Sequence, residues 1–244
     1  MKKELKKQIK SDEFVSVLQR VVSFASQRTS ELKILGVVLA LLVAGGLGLD
    51  SWLEARRHEA SRAFGEAVEL FHAPIINELP EGAELPPGPS FGSRDDKYRK
   101  AQAAFDGFGR RHARSDQATS AAYYGGLCRI ELGQLDEAEE LMRDLASRKQ
   151  PEALEPALAL LALGRVHRLK GETDEAIETY RRLLDDEQAA LPRDEALMGM
   201  AAAFEEGNRL AEARAAYEQL TERFPGSVYA TDARTRAAYL ELSG

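Results

Sequence analysis

The sequence predicts an all-α protein in which a single N-terminal transmembrane helix is followed by an α-solenoid of helical hairpins. Three observations lead to this fold class: an uncharged apolar run at residues 34–49, a motif that recurs at intervals of 37 or 38 residues, and abundant Ala, Leu, Glu and Arg. These four residue types favour helices. A repeated unit that packs only on its neighbours explains how 244 residues can form one extended domain.

Charge is distributed unevenly along the chain. Residues 1–33 carry eight Lys or Arg against four Asp or Glu, whereas the remaining residues carry 25 basic and 36 acidic side chains. An acidic body repels phosphate backbones, so nucleic acid is a poor candidate partner. The basic end suits the anionic face of a membrane.

The predicted transmembrane signal anchor covers residues 34–53. Its uncharged part would span roughly 24 Å at about 1.5 Å per residue, and Trp52 and Leu53 can extend it toward the ~30 Å of a hydrocarbon core. The alternative is a buried core helix, but four glycines would weaken such a helix in water, whereas membrane helices tolerate glycine.

Orientation follows from the basic excess before the span. It places residues 1–33, a basic tail with an amphipathic helix, in the cytoplasm and residues 50–244 outside it. The apolar positions of this tail are equally consistent with a cytoplasmic extension of the membrane helix. No convincing signal-peptide cleavage site follows the apolar run, so we expect the anchor to stay uncleaved.

Small residues form one stripe along the span, at intervals of four residues. Such a stripe would allow a second helix to approach closely, although Gly and Ala are common enough in membrane helices for the alignment to arise by chance. The predicted packing positions are Gly36, Ala40, Ala44 and Gly48.

The repeats follow from residue 94 onward. An alanine that opens the second helix of each hairpin is followed four residues later by a bulky residue and, three further on, by Phe or Leu, which marks one helix face. The alanines are Ala101, Ala138, Ala176 and Ala213. The first bulky set is Phe105, Met142, Tyr180 and Tyr217, and the second set is Phe108, Leu145, Leu183 and Leu220.

Glycines and prolines mark the turns and one insertion. Gly133, Gly171 and Gly207 lie where a tight turn between helices needs a residue without Cβ strain. Polar starts for the second helices are offered by Asn208, Thr173 and Asp174. Small residues twelve positions before the repeated alanines, Gly126, Gly164 and Ala201, are expected where two helices of a hairpin cross closely.

The domain boundaries follow from these patterns. We predict the first helix of the repeat domain at residues 54–72, a mobile Pro/Gly-rich insertion at 73–93, and the repeats at 94–244 with a C-terminal capping helix. No helix can cross the insertion, which holds five of the nine prolines. Longer loops around residues 149–156 and 187–192 would account for the length of the period.

The order of small residue, turn, alanine, aromatic and terminal proline resembles the tetratricopeptide repeat, with matches at Ala201, Gly207, Ala213, Tyr217 and Pro225. The resemblance implies that the first helices line a concave protein-binding groove. A Tyr, a Met and two Arg would give this groove a mixed apolar and cationic character suited to a peptide, unless these are ordinary solvated positions. The predicted groove positions are Tyr123, Leu127, Arg165, Arg168, Met198 and Glu205.

The layout of the whole chain, with the stretch EASRAFGEAVELFHAP after the span, resembles the YfgM-like ancillary subunits of the Sec translocon. The resemblance implies a single-pass protein of the bacterial inner membrane, with periplasmic repeats that contact translocon subunits, periplasmic chaperones or substrates. The alternative is an envelope-assembly or cell-division coordinating scaffold, because PGSVYATDARTRAAYLE is similar to repeats of those proteins.

No catalytic machinery is predicted. The sequence has no phosphate-binding loop and no zinc-protease or nucleophile-elbow motif, and its four histidines show no ligand spacing. The single cysteine, Cys128, is expected to be a buried apolar residue. We therefore expect no enzyme activity, no cofactor, no metal and no small-molecule substrate.

Overall fold

The structure is a computed structural model that describes residues 29–80, 84–148, 154–185 and 193–243. Within the first range, side chains are described for residue 46, residues 48 and 49, and from residue 51 onward. The chain divides into two compact units, Met1–His58 and Glu59–Gly244.

The described residues form nine α-helices and no strand, which confirms the predicted all-α class for this part of the chain. The long α1 (Thr29–His72) is followed by a short 3-10 turn (Ile76–Glu78). The other helices are α2 (Arg94–Arg111), α3 (Ala118–Glu131), α4 (Leu135–Ser147), α5 (Glu155–Lys170), α6 (Thr173–Asp185), α7 (Arg193–Glu206), α8 (Leu210–Arg223) and α9 (Ala230–Ser243).

The helices pack in chain order as a solenoid of hairpins. Each of α2 to α8 contacts the next helix, and α9 packs against α8. In addition, α3 contacts α5 and α5 contacts α7, so the first helices of successive hairpins lie side by side. This arrangement, in which each hairpin touches only its neighbours, is the α-solenoid that the sequence predicts.

The repeated positions form the core, as the sequence predicts. All four repeated alanines are 0% exposed, and none of the eight bulky side chains that follow them is more than 2% exposed. Burying a large apolar side chain of this kind stabilises a fold by about 1.5–3 kcal/mol, so the motif marks the residues that hold the hairpins together. Cys128 is also fully buried, and burial raises the pKa of its thiol to about 12.

The turns between helices differ from the prediction in one repeat. Gly133 and Gly171 adopt left-handed backbone angles, with φ of 71° and 76°. In the third repeat this conformation belongs to Asn208, with φ of 55°, and not to Gly207. Asparagine tolerates this region better than most residues. The expectation that Asn208 starts the following helix is therefore wrong, because α8 begins two residues later.

The two ends of the Pro/Gly-rich insertion are joined by backbone and side-chain contacts, and the mobility of the insertion stays a prediction. Ile75 and Phe91 form an isolated parallel bridge and are buried. The Ile76 amide donates to the Phe91 carbonyl at 2.8 Å, and the Asn77 side chain donates to the Gly92 carbonyl at the same distance. Two buried apolar side chains thus close the base of the insertion.

The second unit begins with a cluster of aromatic rings that joins the end of α1 to α2 and α3. The Tyr124 ring stacks on Phe105, with centroids 5.3 Å apart, and meets Phe71 edge-on at 5.1 Å. Phe64 contacts both Phe105 and Phe108. Because aromatic pairs in these geometries are favourable beyond their buried area, the cluster fixes the first hairpin.

Large apolar side chains lie exposed in the first unit. Leu49, Trp52 and Leu53 are 56%, 51% and 39% exposed, and the Arg56 guanidinium lies 4.4 Å from the Trp52 ring centroid. Within the ranges that the structure describes, no helix is both long and apolar enough to cross a membrane. The side chains of residues 34–45, which form most of the predicted anchor, are outside the described side chains. The basic tail up to residue 28, residues 149–153 of the loop predicted at 149–156, and the loop predicted at 187–192 lie outside the described ranges.

Candidate protein-binding surface

The layer formed by α3, α5 and α7, called the inner layer below, contains all six predicted groove residues. Tyr123, Leu127 and Met198 are half-buried and pack against the neighbouring core clusters. These three side chains therefore contribute apolar area to both the core and the surface. Burial, followed by the charge of Glu195, raises the pKa of Tyr123 to about 12.

The two predicted groove arginines, Arg165 and Arg168, form salt bridges with carboxylates of the same chain. Arg165 Nη2 lies 2.7 Å from Glu131 Oε1. Arg168 donates two hydrogen bonds to Glu206, at 3.0 and 2.6 Å, a bidentate geometry that is stronger than a single contact. The mixed apolar and cationic surface expected from the sequence is therefore less cationic than its composition suggests.

Glu205, the sixth predicted groove residue, is also engaged. It accepts a hydrogen bond from the Tyr217 hydroxyl at 2.6 Å and lies 3.5 Å from Arg236 on α9. Burial and then this carboxylate raise the pKa of Tyr217. Glu205 thus joins α7 to both α8 and α9.

Three of these ion pairs connect consecutive first helices and are called the interhairpin pairs below. Because each pair joins residues at least 31 positions apart, no local pattern in the sequence indicates it. They hold the inner layer in register by direct contacts between hairpins. The interhairpin pairs are Glu131–Arg165, Arg168–Glu206 and Glu205–Arg236.

Sequence reasoning missed Glu195, the third residue of α7. Its side chain is half-buried, and burial, followed by the neighbouring Asp194, raises the pKa of the carboxyl group. It precedes the predicted groove residue Met198 by three positions, which places both on one face of the helix. This spacing is the only signal in the sequence that could have pointed to it.

The predicted packing stripe of the span is described only at its end. Gly48 is exposed, and a Cβ atom placed there would meet nothing within 4 Å. The side chains of Ala40 and Ala44, and the surroundings of Gly36, lie outside the described residues. Packing along this stripe stays a prediction.

One group of side chains has the donor types of a metal site. Ligand atoms of Glu139, His167 and Glu172 lie within 4.8 Å of one another, although the sequence separates them by up to 33 positions. However, the Lys170 ammonium lies 2.5 Å from Glu139 and 3.1 Å from Glu172, and also 2.9 Å from Asp136. Lysine thus supplies the positive charge that a metal ion would otherwise bring, and the group acts as a link between α4 and α5.

Repeated helical hairpins, with first helices side by side and a core built from one motif, define an α-solenoid of the kind that serves as a protein-interaction scaffold. The chain belongs to the family described as the tetratricopeptide repeat-like domain, whose profile matches residues 27–233. This match confirms the repeat resemblance that the sequence indicates.

Solved structures support the same fold. A putative kinesin light chain from Podosopora anserina, with nearly identical TPR-like repeats, superposes with a TM-score of 0.51 and 15% identity, over 60% of this chain and 79% of that one. A variant of it gives a TM-score of 0.50 and 16% identity, over 60% and 78% of the two chains. At such low identity the likeness concerns the fold alone. No curated protein sequence matches the chain.

Proposed function

We propose that this protein is a non-enzymatic, membrane-anchored scaffold that presents its repeats in the bacterial periplasm and serves as an ancillary or chaperone-recruiting subunit at the Sec translocon. The binding role is supported mainly by the side chains that the inner layer presents. Its half-buried Tyr123, Leu127 and Met198 offer apolar contact area and pack against the core clusters beneath them. Aromatic and Met side chains are enriched in the interfaces of protein complexes.

The membrane role is supported by the amino-acid pattern and by the exposed apolar residues at the end of the uncharged run. Leu49, Trp52 and Leu53 would lie at the membrane boundary, where Trp is enriched. The exposed Arg56 next to Trp52 fits the same boundary, because Arg extends its charge toward the headgroups. The assignment to the translocon rests on the resemblance to the YfgM-like subunits.

The test is purification of the tagged full chain from native membranes after crosslinking in the cell, with its partners quantified by mass spectrometry. The matched control is residues 1–58, which keep the anchor but lack the repeats. We expect translocon subunits or periplasmic chaperones to be recovered with the full chain in clear excess over the control. Recovery of division or outer-membrane assembly proteins in their place would contradict the translocon assignment.

A further inference from the structure

Glu195 is a half-buried carboxylate of the inner layer that lies outside the interhairpin pairs. Arg165 lowers the pKa of the Glu195 carboxyl but forms its salt bridge with Glu131, at 2.7 Å. The three arginines of the interhairpin pairs form their salt bridges with other carboxylates, at 2.7, 2.6 and 3.5 Å. The neighbouring Asp194 differs, because its carboxylate accepts a hydrogen bond from Ser227 at 2.6 Å.

The other predicted charges of the groove are already used. Arg165, Arg168 and Glu205 each belong to an interhairpin pair, so a ligand would have to break contacts between hairpins to bind them. Glu195 can be bound without such a loss. Among the predicted groove charges and Glu195, the charge outside the interhairpin pairs is therefore negative, although the sequence suggests a cationic groove.

Glu195 and Tyr123 are both half-buried residues of the inner layer. The two residues belong to α7 and α3, which are separated by α5, yet the Glu195 carboxylate acts electrostatically on the Tyr123 hydroxyl. Met198 follows one helical turn after Glu195 on α7. The inner layer thus combines a half-buried carboxylate with a half-buried aromatic ring and a half-buried thioether.

Burial of the Glu195 carboxylate is unfavourable, and it outweighs the attraction of Arg165, because the pKa of Glu195 is raised overall. A positively charged side chain brought by a ligand would compensate this cost, whereas an acidic ligand would be repelled. The surrounding Tyr and Met would contact apolar residues of the ligand or the apolar stem of a Lys or Arg side chain.

We infer that the inner layer binds a peptide segment in which a Lys or Arg, flanked by apolar residues, pairs with Glu195. This inference rests on the proposed protein-binding function and specifies the chemistry of the partner.

In the experiment, random 12-residue peptides are displayed on phage and selected for binding to the full chain in detergent micelles. The affinities of the selected peptides are then measured. Wild type is compared with Glu195→Gln, which keeps the shape and removes the charge. The matched control is Glu175→Gln, because Glu175 is the exposed third residue of α6 and has the same position relative to its helix N-terminus. Circular dichroism melts check the fold of each variant.

We expect wild type and Glu175→Gln to select peptides enriched in Lys or Arg next to apolar residues. Glu195→Gln should lose this enrichment while its melting temperature stays equal or rises. Replacing the selected Lys with uncharged norleucine should weaken binding to wild type roughly tenfold or more, and should change binding to Glu195→Gln little. Such non-additivity is the signature of a direct pair.

Selection of acidic peptides, absence of a charge preference in wild type, or unchanged enrichment with Glu195→Gln would each overturn the inference and leave the protein-binding role intact. If a variant fails to fold, the charge preference is still tested on wild type alone, by comparing its affinity for peptides with Lys, norleucine or Glu at the same position. Failure to select any peptide would contradict the proposed binding function itself, and the inference with it.

Discussion

The Tyr180 ring lies so close to Gly164 that a Cβ atom on this glycine would be 2.6 Å from the ring. A Cβ atom on Gly199 of α7 would be 2.5 Å from the same ring. The aromatic side chain of α6 is therefore inserted between α5 and α7, and the two glycines make room for it. This contact joins two consecutive hairpins of the solenoid.

Gly164→Ala should lower the free energy of unfolding by about 1–3 kcal/mol, the usual cost of overpacking, because the ring is held on both sides. Denaturant unfolding followed by circular dichroism measures the change. The control is Gly65→Ala on α1, where a Cβ atom meets nothing within 4 Å. That variant should be about 0.5–1 kcal/mol more stable than wild type, because alanine favours helices. Equal effects at the two positions would show that the close approach is not important.

The Lys170 group predicts a dependence of stability on acid pH. A hydrogen bond from Lys170 lowers the pKa of Glu139, and hydrogen bonds from His167 and then Lys170 lower the pKa of Glu172. The folded chain thus binds fewer protons than the unfolded chain just below the ordinary glutamate pKa of 4.5. The stabilisation is complete above that pH and is lost as the pH falls through the folded pKa values.

Lys170→Met should therefore flatten the fall in melting temperature below pH 4.5, in addition to lowering stability at neutral pH. The control is Lys100→Met, which removes the same charge from an exposed pair with Asp96 at 3.5 Å and should change little. Melting temperatures between pH 3 and 7 provide the measurement. Parallel pH profiles for wild type and Lys170→Met would argue against this account of the group.

The proposed topology predicts where the C-terminus lies. A reporter that is active only outside the cytoplasm, fused after Gly244, should be active, and protease added to spheroplasts should digest the repeats. The physical reason is the excess of Lys and Arg before the apolar run, which favours the cytoplasmic side. As a control, the same reporter placed before residue 1 should be inactive. Repeats that are protected in intact spheroplasts would reverse the orientation.

The sequence predicts the core of the solenoid well because core positions repeat at fixed intervals. Ala176, Tyr180 and Leu183 belong to one helix face whose spacing is set by the helix itself. The small residues that face them follow the same period, and Gly126 and Gly164 do lie against Met142 and Tyr180. Local geometry and periodicity are sufficient for these predictions.

The charged contacts could not be predicted in the same way. Whether Arg165 meets Glu131 or a ligand depends on the register between hairpins, which long side chains and variable loops leave undetermined in the sequence. His167 and Glu139 are 28 positions apart, so ligand spacing gave no indication that they meet. Asn208 replaces glycine at a turn because two residue types can adopt the same backbone conformation.

The most direct test of the central claim is site-specific photocrosslinking from the two layers of the solenoid. A photoreactive amino acid is introduced into the full chain at Tyr123 or Met198 in the inner layer, and at the exposed Glu178 or Arg182 of α6 as matched controls. Binding through the inner layer predicts adducts with other proteins from Tyr123 and Met198, and only background from Glu178 and Arg182. Equal yields from both layers, or adducts only from α6, would contradict the claim that the inner layer binds the partner.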